Sequence, residues 1–430
     1  MRKSRYSFIL RKGFCCFIYN CKTDAVSVID NHLAELIEDS EIDLIEQKHP
    51  DFYKFLIKEG FVVDDKVDES LSVIEEWKAE ESSSTFSIFI NPTMDCNLRC
   101  WYCYEKHLAD SIMSKDVSQA IMKFLNNEIK EKNIRAIGIS FFGGEPLLAL
   151  SDVVVPLLWS ISEVTKGLIV NVSFVTNGIL LTETNIVKLK SIPICDNFTC
   201  QVTLDGNKEF HDKTKHFQDG SGSYSVILQN VKDALRMGLH IVLRFNTTEK
   251  NLMSFADVLS DLEHIPAEHK ENLEIDFQHV WQDNVANNMQ YIEKQEAIRD
   301  VYVKLGFKVR ELKHIDNSRC YADRKNHYVV NYNGDVYKCT AQEFSVENRD
   351  GILTSDGRVK WNARNQHREA IKYGNDFCWE CNIFPICHGG CSRFKMDSMS
   401  TNGCLRGYSH KDKEKIVNDR VDYIINNLNS

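Results

Sequence analysis

From residue 85 onward the chain alternates short apolar runs with amphipathic stretches. The runs FSIFINP, AIGISFF, LIVNVSFVT, FTCQVTL, HIVLRFNTT and LEIDFQHVW predict six strands, and helical spacing begins near residues 115, 151, 183, 224, 250 and 289. Strands this apolar are buried on both faces, as in a parallel sheet whose connections are helices. The expectation is an α/β fold, a sheet left open or curled into a partial (β/α)6 TIM-like barrel. Its functional side chains should stand at the C-terminal strand ends and in the loops that follow.

The flanks read differently. SRYSFIL, FCCFIYN and AVSVID predict three short strands separated by turn-like RKG and CKTD, and helical patterns follow over 31–48 and 50–59. That order is winged-helix-like. Residues 64–84 are acidic and end in ESSS, which predicts a linker or an exposed helix. After about residue 307 the periodicity fades and cysteines become dense, as in a domain stapled by metal. A last amphipathic helix is predicted over 411–428. The expected division is 1–84 (a recognition module and acidic linker), 85–306 (the βα core), 307–409 (the cysteine-rich domain) and 410–430 (the terminal helix).

Charge narrows the function. The net charge is −10, and residues 1–84 hold 18 acidic against 11 basic side chains. A protein that coats nucleic acid needs a basic face, so no nucleic-acid partner is expected. There is no uninterrupted run of 18 apolar residues, and YSFIL is too short for a signal-peptide core. The reading is a cytoplasmic protein without a membrane partner. In that compartment fifteen cysteines point to metal or chemistry rather than to disulfides.

Cys96, Cys100 and Cys103, in CNLRCWYC, follow the first predicted βα strand, where a ligand site belongs. Thiolates hold iron–sulfur clusters, and three of them leave one iron of a cubane open. The plainer alternatives are three buried thiols or a zinc site short of its fourth ligand. The C-x3-C-x2-C spacing, with an aromatic before the last cysteine, resembles the radical SAM superfamily, whose open iron binds S-adenosylmethionine. The resemblance implies further contacts at strand ends. Gly143, Gly144 and Glu145, in GGEP, would hold the methionine amino group, with glycine letting backbone approach the ligand. Ser173 and Asn177 would lie near ribose or carboxylate, and Tyr102 near the adenine. LDG (Leu204 to Gly206) ends the fourth strand. Lys215 takes the place of a carboxylate-gripping arginine, keeping the charge but not the bidentate fork.

The late cysteines are Cys320 and Cys339, then Cys378-x2-Cys381-x5-Cys387-x3-Cys391, then Cys404. Paired close cysteines also suit a zinc ribbon. The full series over 85–409 resembles the SPASM extension of radical SAM peptide-modifying enzymes, which carries two auxiliary clusters. The resemblance implies one cluster on Cys378, Cys381, Cys387 and Cys404, and another on Cys320, Cys339 and Cys391. Anaerobic sulfatase-maturating enzymes carry a basic aspartate after the second cysteine of the series, and here that place is Thr340. Their eighth cysteine is also missing, with His314 the nearest residue of ligand type. Cys15, Cys16, Cys21, Cys195 and Cys200 read as core thiols. Asp276, His279 and Asp335 are candidate proton acceptors, and a surface or structural role is expected for each.

Together these features imply a radical SAM peptide maturase with three 4Fe–4S clusters and S-adenosylmethionine. It would be reduced by a donor such as flavodoxin or ferredoxin and would form a thioether or another crosslink. The N-terminal module resembles a RiPP recognition element, which binds the leader of a ribosomally made precursor peptide by adding it to a sheet edge. The alternatives are a formylglycine-generating sulfatase maturase and, in another class, a non-catalytic iron–sulfur regulatory protein. The catalytic base stays unknown.

Overall fold

The computed structural model describes residues 1–39, 41–81, 84–194, 197–283, 289–310, 319–397 and 403–428. Cys195 and His314 lie outside the described residues. The chain divides into two compact units: residues 1–82, 313–325 and 366–430 form one, and 83–312 with 326–365 form the other.

In the first unit, β1 (Arg2–Lys3) precedes three strands, β2 (Ser7–Lys12), β3 (Cys15–Asn20) and β4 (Ala25–Ile29). The last three form an antiparallel sheet in the order β2-β3-β4. Helices Asn31–Glu38, Ile42–Lys48 and Pro50–Lys58 follow, and β5 (Val62–Val63) pairs back with β1. Alternation along β3 turns Cys16 inward to join Ile18, Ile37 and Phe61, and turns Cys15 outward. The expectation that Cys15 is a core thiol is therefore corrected, whereas Cys16, Cys21 and Cys200 are each 1% exposed.

The acidic stretch is neither a linker nor an exposed helix. Asp68 caps a helix over Glu69–Glu80 by accepting from the Leu71 amide, and Val73, Ile74 and Trp77 lie buried along one face. Glu69 is buried in line with this stripe and paired with Arg2, while Glu75, Glu76 and Glu80 are exposed, so composition concealed the apolar face. Trp77 packs edge-on against Phe384, and its face carries the Arg319 guanidinium 5.3 Å from the ring centroid. Glu81 receives Lys372 Nζ and the Tyr373 hydroxyl, each at 2.7 Å, and Arg319 at 3.3 Å. Burial raises the Glu81 carboxyl, but these donors win and hold it below its ordinary value. The N-terminal sheet and the late cysteines thus share one core, in which Tyr6, Tyr19 and Trp77 meet Ile383, Phe384, Val417 and Val421. The last two belong to the C-terminal helix His410–Leu428.

The second unit is built on β6 (Thr85–Ile90), the short β7 (Leu98–Cys100), β8 (Ala136–Phe141), β9 (Ile169–Thr176), β10 (Phe198–Leu204), the short β11 (Lys215–Phe217), β12 (His240–Thr247) and β13 (Leu273–His279). β6, β8, β9, β10, β12 and β13 pair side by side, each parallel to the next. Strand order follows chain order without reversal, and right-handed crossovers then place every connecting helix on one face. That is the singly wound arrangement of a barrel, here left open. β14 (Lys308–Val309) extends one edge, and β15 (His327–Val330), β16 (Asp335–Tyr337), β17 (Gly351–Leu353) and β18 (Val359–Trp361) extend the other. The segment expected as one cysteine-rich domain, 307–409, is therefore divided. Residues 326–365 join the large sheet because β15 continues it in parallel with β6, whereas 366–409 pack with the N-terminal module.

Among the described residues, one helical stretch, Pro146–Val164, is long and apolar enough to cross a membrane by length and composition. Half of that window is buried, with Leu150, Val154, Leu157, Leu158 and Ile161 in the core under the sheet, and the stretch links the adjacent parallel strands β8 and β9.

Trp77 gives a direct measure of this packing. Trp77→Ala is expected to cost about 3–5 kcal/mol in chemical denaturation. If Glu69–Glu80 were only a linker, the change would stay within about 0.5 kcal/mol.

Candidate functional site

The three cysteines of CNLRCWYC occupy a tight excursion directly after β6. β7 runs through Cys100 and pairs antiparallel with β11, which sets Lys215 directly opposite Cys100. Burial pushes the thiols up, Cys96 to about 12 and both Cys100 and Cys103 to about 11. The positive charge of Lys215 draws the last two back toward the thiolate. Thiols so placed become thiolates when a metal supplies the charge that solvent no longer stabilises. An open hollow beside them is lined by Cys100, Cys103, Arg99, Lys213 and His216, a setting with enough positive charge for an anionic group.

The GGEP loop holds this excursion in place. Gly144 donates to the Thr93 carbonyl at 3.2 Å and Glu145 to the Asp95 carbonyl at 2.8 Å, so the loop docks on the residues just before Cys96. A Cβ on Gly144 would stand 2.2 Å from the Asp95 oxygen. One on Gly143, at φ +101°, would stand 2.5 Å from the Thr93 oxygen. The glycines are required by this approach of one backbone segment to another, a reason separate from the expected closeness to a ligand. Glu145 is fully buried, and its carboxylate accepts from the Leu147 amide at 3.0 Å, the Thr176 hydroxyl at 2.8 Å and the Asn177 amide at 2.7 Å. It ties the end of β8 to the end of β9.

Asn177 passes that tie on to the cysteines. Its Nδ2 donates to Asn97 Oδ1 at 2.7 Å and lies 3.7 Å from Cys96 Sγ. Ser173 shares a 2.6 Å hydrogen bond with Ser140 across β8 and β9. The Tyr102 hydroxyl accepts from Asn246 Nδ2 at 3.0 Å at the end of β12. Lys215 is 3% exposed, donates to the Thr203 carbonyl at 3.1 Å and stands 3.4 Å from Asp205 Oδ2. Asp205 is the residue that motif reading passed over. It is 1% exposed, sits beside the Lys215 ammonium and is hydrogen-bonded to the Tyr102 side chain. The LDG motif was the available signal, since an acid at a strand end needs a donor. Asp276 accepts from Gln278, His279 pairs with Asp283, and Asp335 pairs with Arg349.

Among the late cysteines, Cys378, Cys381, Cys387 and Cys404 line one cavity, with Gly389, Gly390, Arg406 and Tyr408. Cys320 and Cys391 belong to the same unit, and Cys339 belongs to the other. Among the described residues, no three His, Cys, Asp or Glu side chains close on a single-ion position. Thiols that line a common cavity are donors for a closed zinc site or for a cluster. Thr340 presents its carbonyl to the Tyr104 hydroxyl at 3.1 Å, and Tyr104 stacks on Trp281 with centroids 6.0 Å apart.

Gly144→Ala is expected to destabilise the fold by about 1–3 kcal/mol and to lower the iron bound on anaerobic reconstitution. Gly138→Ala, whose added methyl would find its nearest neighbour 4.0 Å away, serves as the control. Thermal denaturation and iron analysis of the two variants decide the point.

Comparison with known proteins agrees with this geometry. Residues 90–259 match the Radical SAM superfamily. A cysteine-type anaerobic sulfatase-maturating enzyme of Clostridium novyi (strain NT) is 24% identical over 156 residues, 34% of this chain and 40% of that protein. The match thus spans less than half of the relative. The structure of anSMEcpe with bound AdoMet superposes with a TM-score of 0.60 at 19% identity, covering 79% of this chain and 95% of that one. The structure of Streptococcus suis SuiB bound to its precursor peptide SuiA gives a TM-score of 0.52 at 14% identity, covering 95% of this chain and all of that one. With the cysteine excursion at its start and the glycine loop docked against it, the stretch 90–259 is a Radical SAM superfamily domain.

Proposed function

We propose that the chain is a radical SAM maturase of a ribosomally made precursor peptide. The observation that carries this reading is coverage. The likeness to SuiB, a protein seen with a precursor peptide, extends over 95% of this chain, whereas that to anSMEcpe extends over 79%. The three-stranded sheet β2-β3-β4 has β2 and β4 at its edges, and Val28 on β4 is 65% exposed. An edge of this kind accepts an extended leader through main-chain hydrogen bonds. The sulfatase-maturase reading is disfavoured because Thr340 stands where those enzymes place a carboxylate.

Cys96, Cys100 and Cys103 would hold the first 4Fe–4S cluster, whose chemistry, with S-adenosylmethionine bound, is one-electron cleavage followed by hydrogen abstraction. Lys215 offers a buried positive charge opposite Cys100, suited to a carboxylate. Asn177, held by Glu145, keeps the Cys96 segment in register. Tyr102, anchored by Asn246, offers a flat ring at the rim for a base. Of the two auxiliary clusters, the one on Cys378, Cys381, Cys387 and Cys404 is supported by their common cavity. The one on Cys320, Cys339 and Cys391 rests on spacing. An electron donor such as flavodoxin or ferredoxin completes the scheme.

Replacing Cys96, Cys100 and Cys103 together by Ala should remove about a third of the iron of a three-cubane protein and all release of 5′-deoxyadenosine. Incubation with a short Cys-bearing peptide encoded nearby should lower the peptide's mass by two hydrogens for each crosslink. Formylglycine formation on a sulfatase peptide, with no change in the encoded peptide, would overturn the assignment in favour of the sulfatase maturase.

Leader binding has its own test. A charge on the edge strand, Val28→Glu, should weaken binding of a labelled leader about tenfold, or about 1.4 kcal/mol, and leave 5′-deoxyadenosine release unchanged. Equal affinity for both proteins would exclude β4 as the docking edge. Deleting residues 1–84 is not an equivalent test, because Trp77 and Tyr19 share a core with Cys378 and Phe384.

A further inference from the structure

Arg244 carries a charge that the proposed chemistry leaves unused. It lies on β12, whose Ile241, Leu243 and Phe245 point into the core shared with the helices. Alternation therefore sets Arg244 and Asn246 on the opposite face, where Asn246 meets Tyr102 of the cysteine excursion. The Arg244 side chain is half-buried, and among the described residues its one hydrogen bond runs from Nε to Asn246 Oδ1 at 2.9 Å. Its charged neighbours are matched elsewhere. Asp276, its partner in register on β13, accepts from Gln278 at 2.8 Å and faces Arg310 at 3.8 Å. Glu274 pairs with Arg310 at 2.8 Å. On the other side Arg244 is in register with Thr203, whose carbonyl takes Lys215, and that ammonium is met by Asp205 at 3.4 Å. Arg244 is left without an anion.

A chain of hydrogen bonds fixes how the guanidinium is presented. Asn246 Oδ1 is taken by Arg244, so its Nδ2 donates to the Tyr102 hydroxyl at 3.0 Å, and that hydroxyl keeps its own proton for Asp205. Nε is thus spent within the protein, while Nη1 and Nη2 are unspent. Those two nitrogens form the flat end of the guanidinium, whose parallel N–H bonds match the two oxygens of a carboxylate. Holding such a fork in place beforehand lowers the cost of binding. We infer that Arg244 is a carboxylate receptor on this face of the sheet, additional to Lys215. Two carboxylates can reach this strand end: the methionine carboxylate of S-adenosylmethionine, and an acidic residue of the substrate peptide. The second source rests on the peptide reading made above.

The test measures binding rather than turnover, on full-length protein reconstituted anaerobically with iron and sulfide. Equilibrium dialysis compares S-adenosylmethionine with its decarboxylated analogue. A second pair compares the encoded Cys-bearing precursor with a version whose core carries Asn, Gln and a C-terminal amide in place of every carboxylate. Arg244→Met should lower the preference for the carboxylate-bearing member of one pair about tenfold. The pair affected identifies the source. Arg244→Lys should keep part of that preference, because it retains the charge without the fork. Unchanged preferences in both pairs would overturn the inference, and so would an equal loss of affinity for both members of a pair, which marks a structural role. Should Arg244→Met bind less iron than the parent, Arg244→Gln against Arg244→Lys carries the same comparison, since each preference is taken within one protein. The peptide reading fails separately, if the parent binds neither precursor while the S-adenosylmethionine preference still falls.

Discussion

The close approach of Gly143 and Gly144 to the Thr93–Asp95 backbone is the constraint on which the site depends. Side chains there would overlap carbonyl oxygens, so glycine alone lets the end of β8 meet the loop after β6. Glu145 makes that contact rigid. A buried carboxylate without donors is costly, and this one takes donors from Leu147, Thr176 and Asn177. The link then runs through Asn177 to Asn97 and the Cys96 thiol. The ends of β8 and β9 are thereby fixed relative to the Cys96 segment, a rigidity that the proposed cluster site would use.

A similar economy holds in the first unit. The N-terminal sheet does not stand alone: its tyrosines and the indole of Trp77 complete the apolar surroundings of the four-cysteine cavity. Arg319 lies between the rings of Trp77 and Tyr373, with centroids at 5.3 and 5.1 Å, and Glu81 joins it to Lys372. Arg319 is adjacent to Cys320 in sequence. Trp77 and Tyr19 also share a core with Cys378 and Phe384, so metal loading of a centre proposed on Cys378 would be linked to stability of the module.

Much of the second unit was legible in the chain. Apolar runs of seven to nine residues, with helical spacing between them, located all six core strands. They did so because every second side chain of the strands is buried, while the alternate positions, only partly exposed, still carry many apolar residues. The cysteine excursion, GGEP and LDG were visible because thiols and glycines at strand ends are rarely neutral choices. Asp205 was passed over since a single acid looks the same whether solvated or buried. The helix Glu69–Glu80 was misread because its acids dominate composition while three apolar side chains set its packing.

Local periodicity and residue chemistry by themselves determined the order of the elements, the type of sheet and the donor atoms available for metal. Those properties depend on near neighbours in the chain. What only the tertiary structure decided is which distant segments share a body. Residues 326–365 continue the large sheet because an unpaired edge on β6 accepts β15, and 366–430 join residues 1–82 because both carry apolar faces that neither can bury alone. Backbone pairing and burial act between segments hundreds of residues apart, and no window of sequence records them.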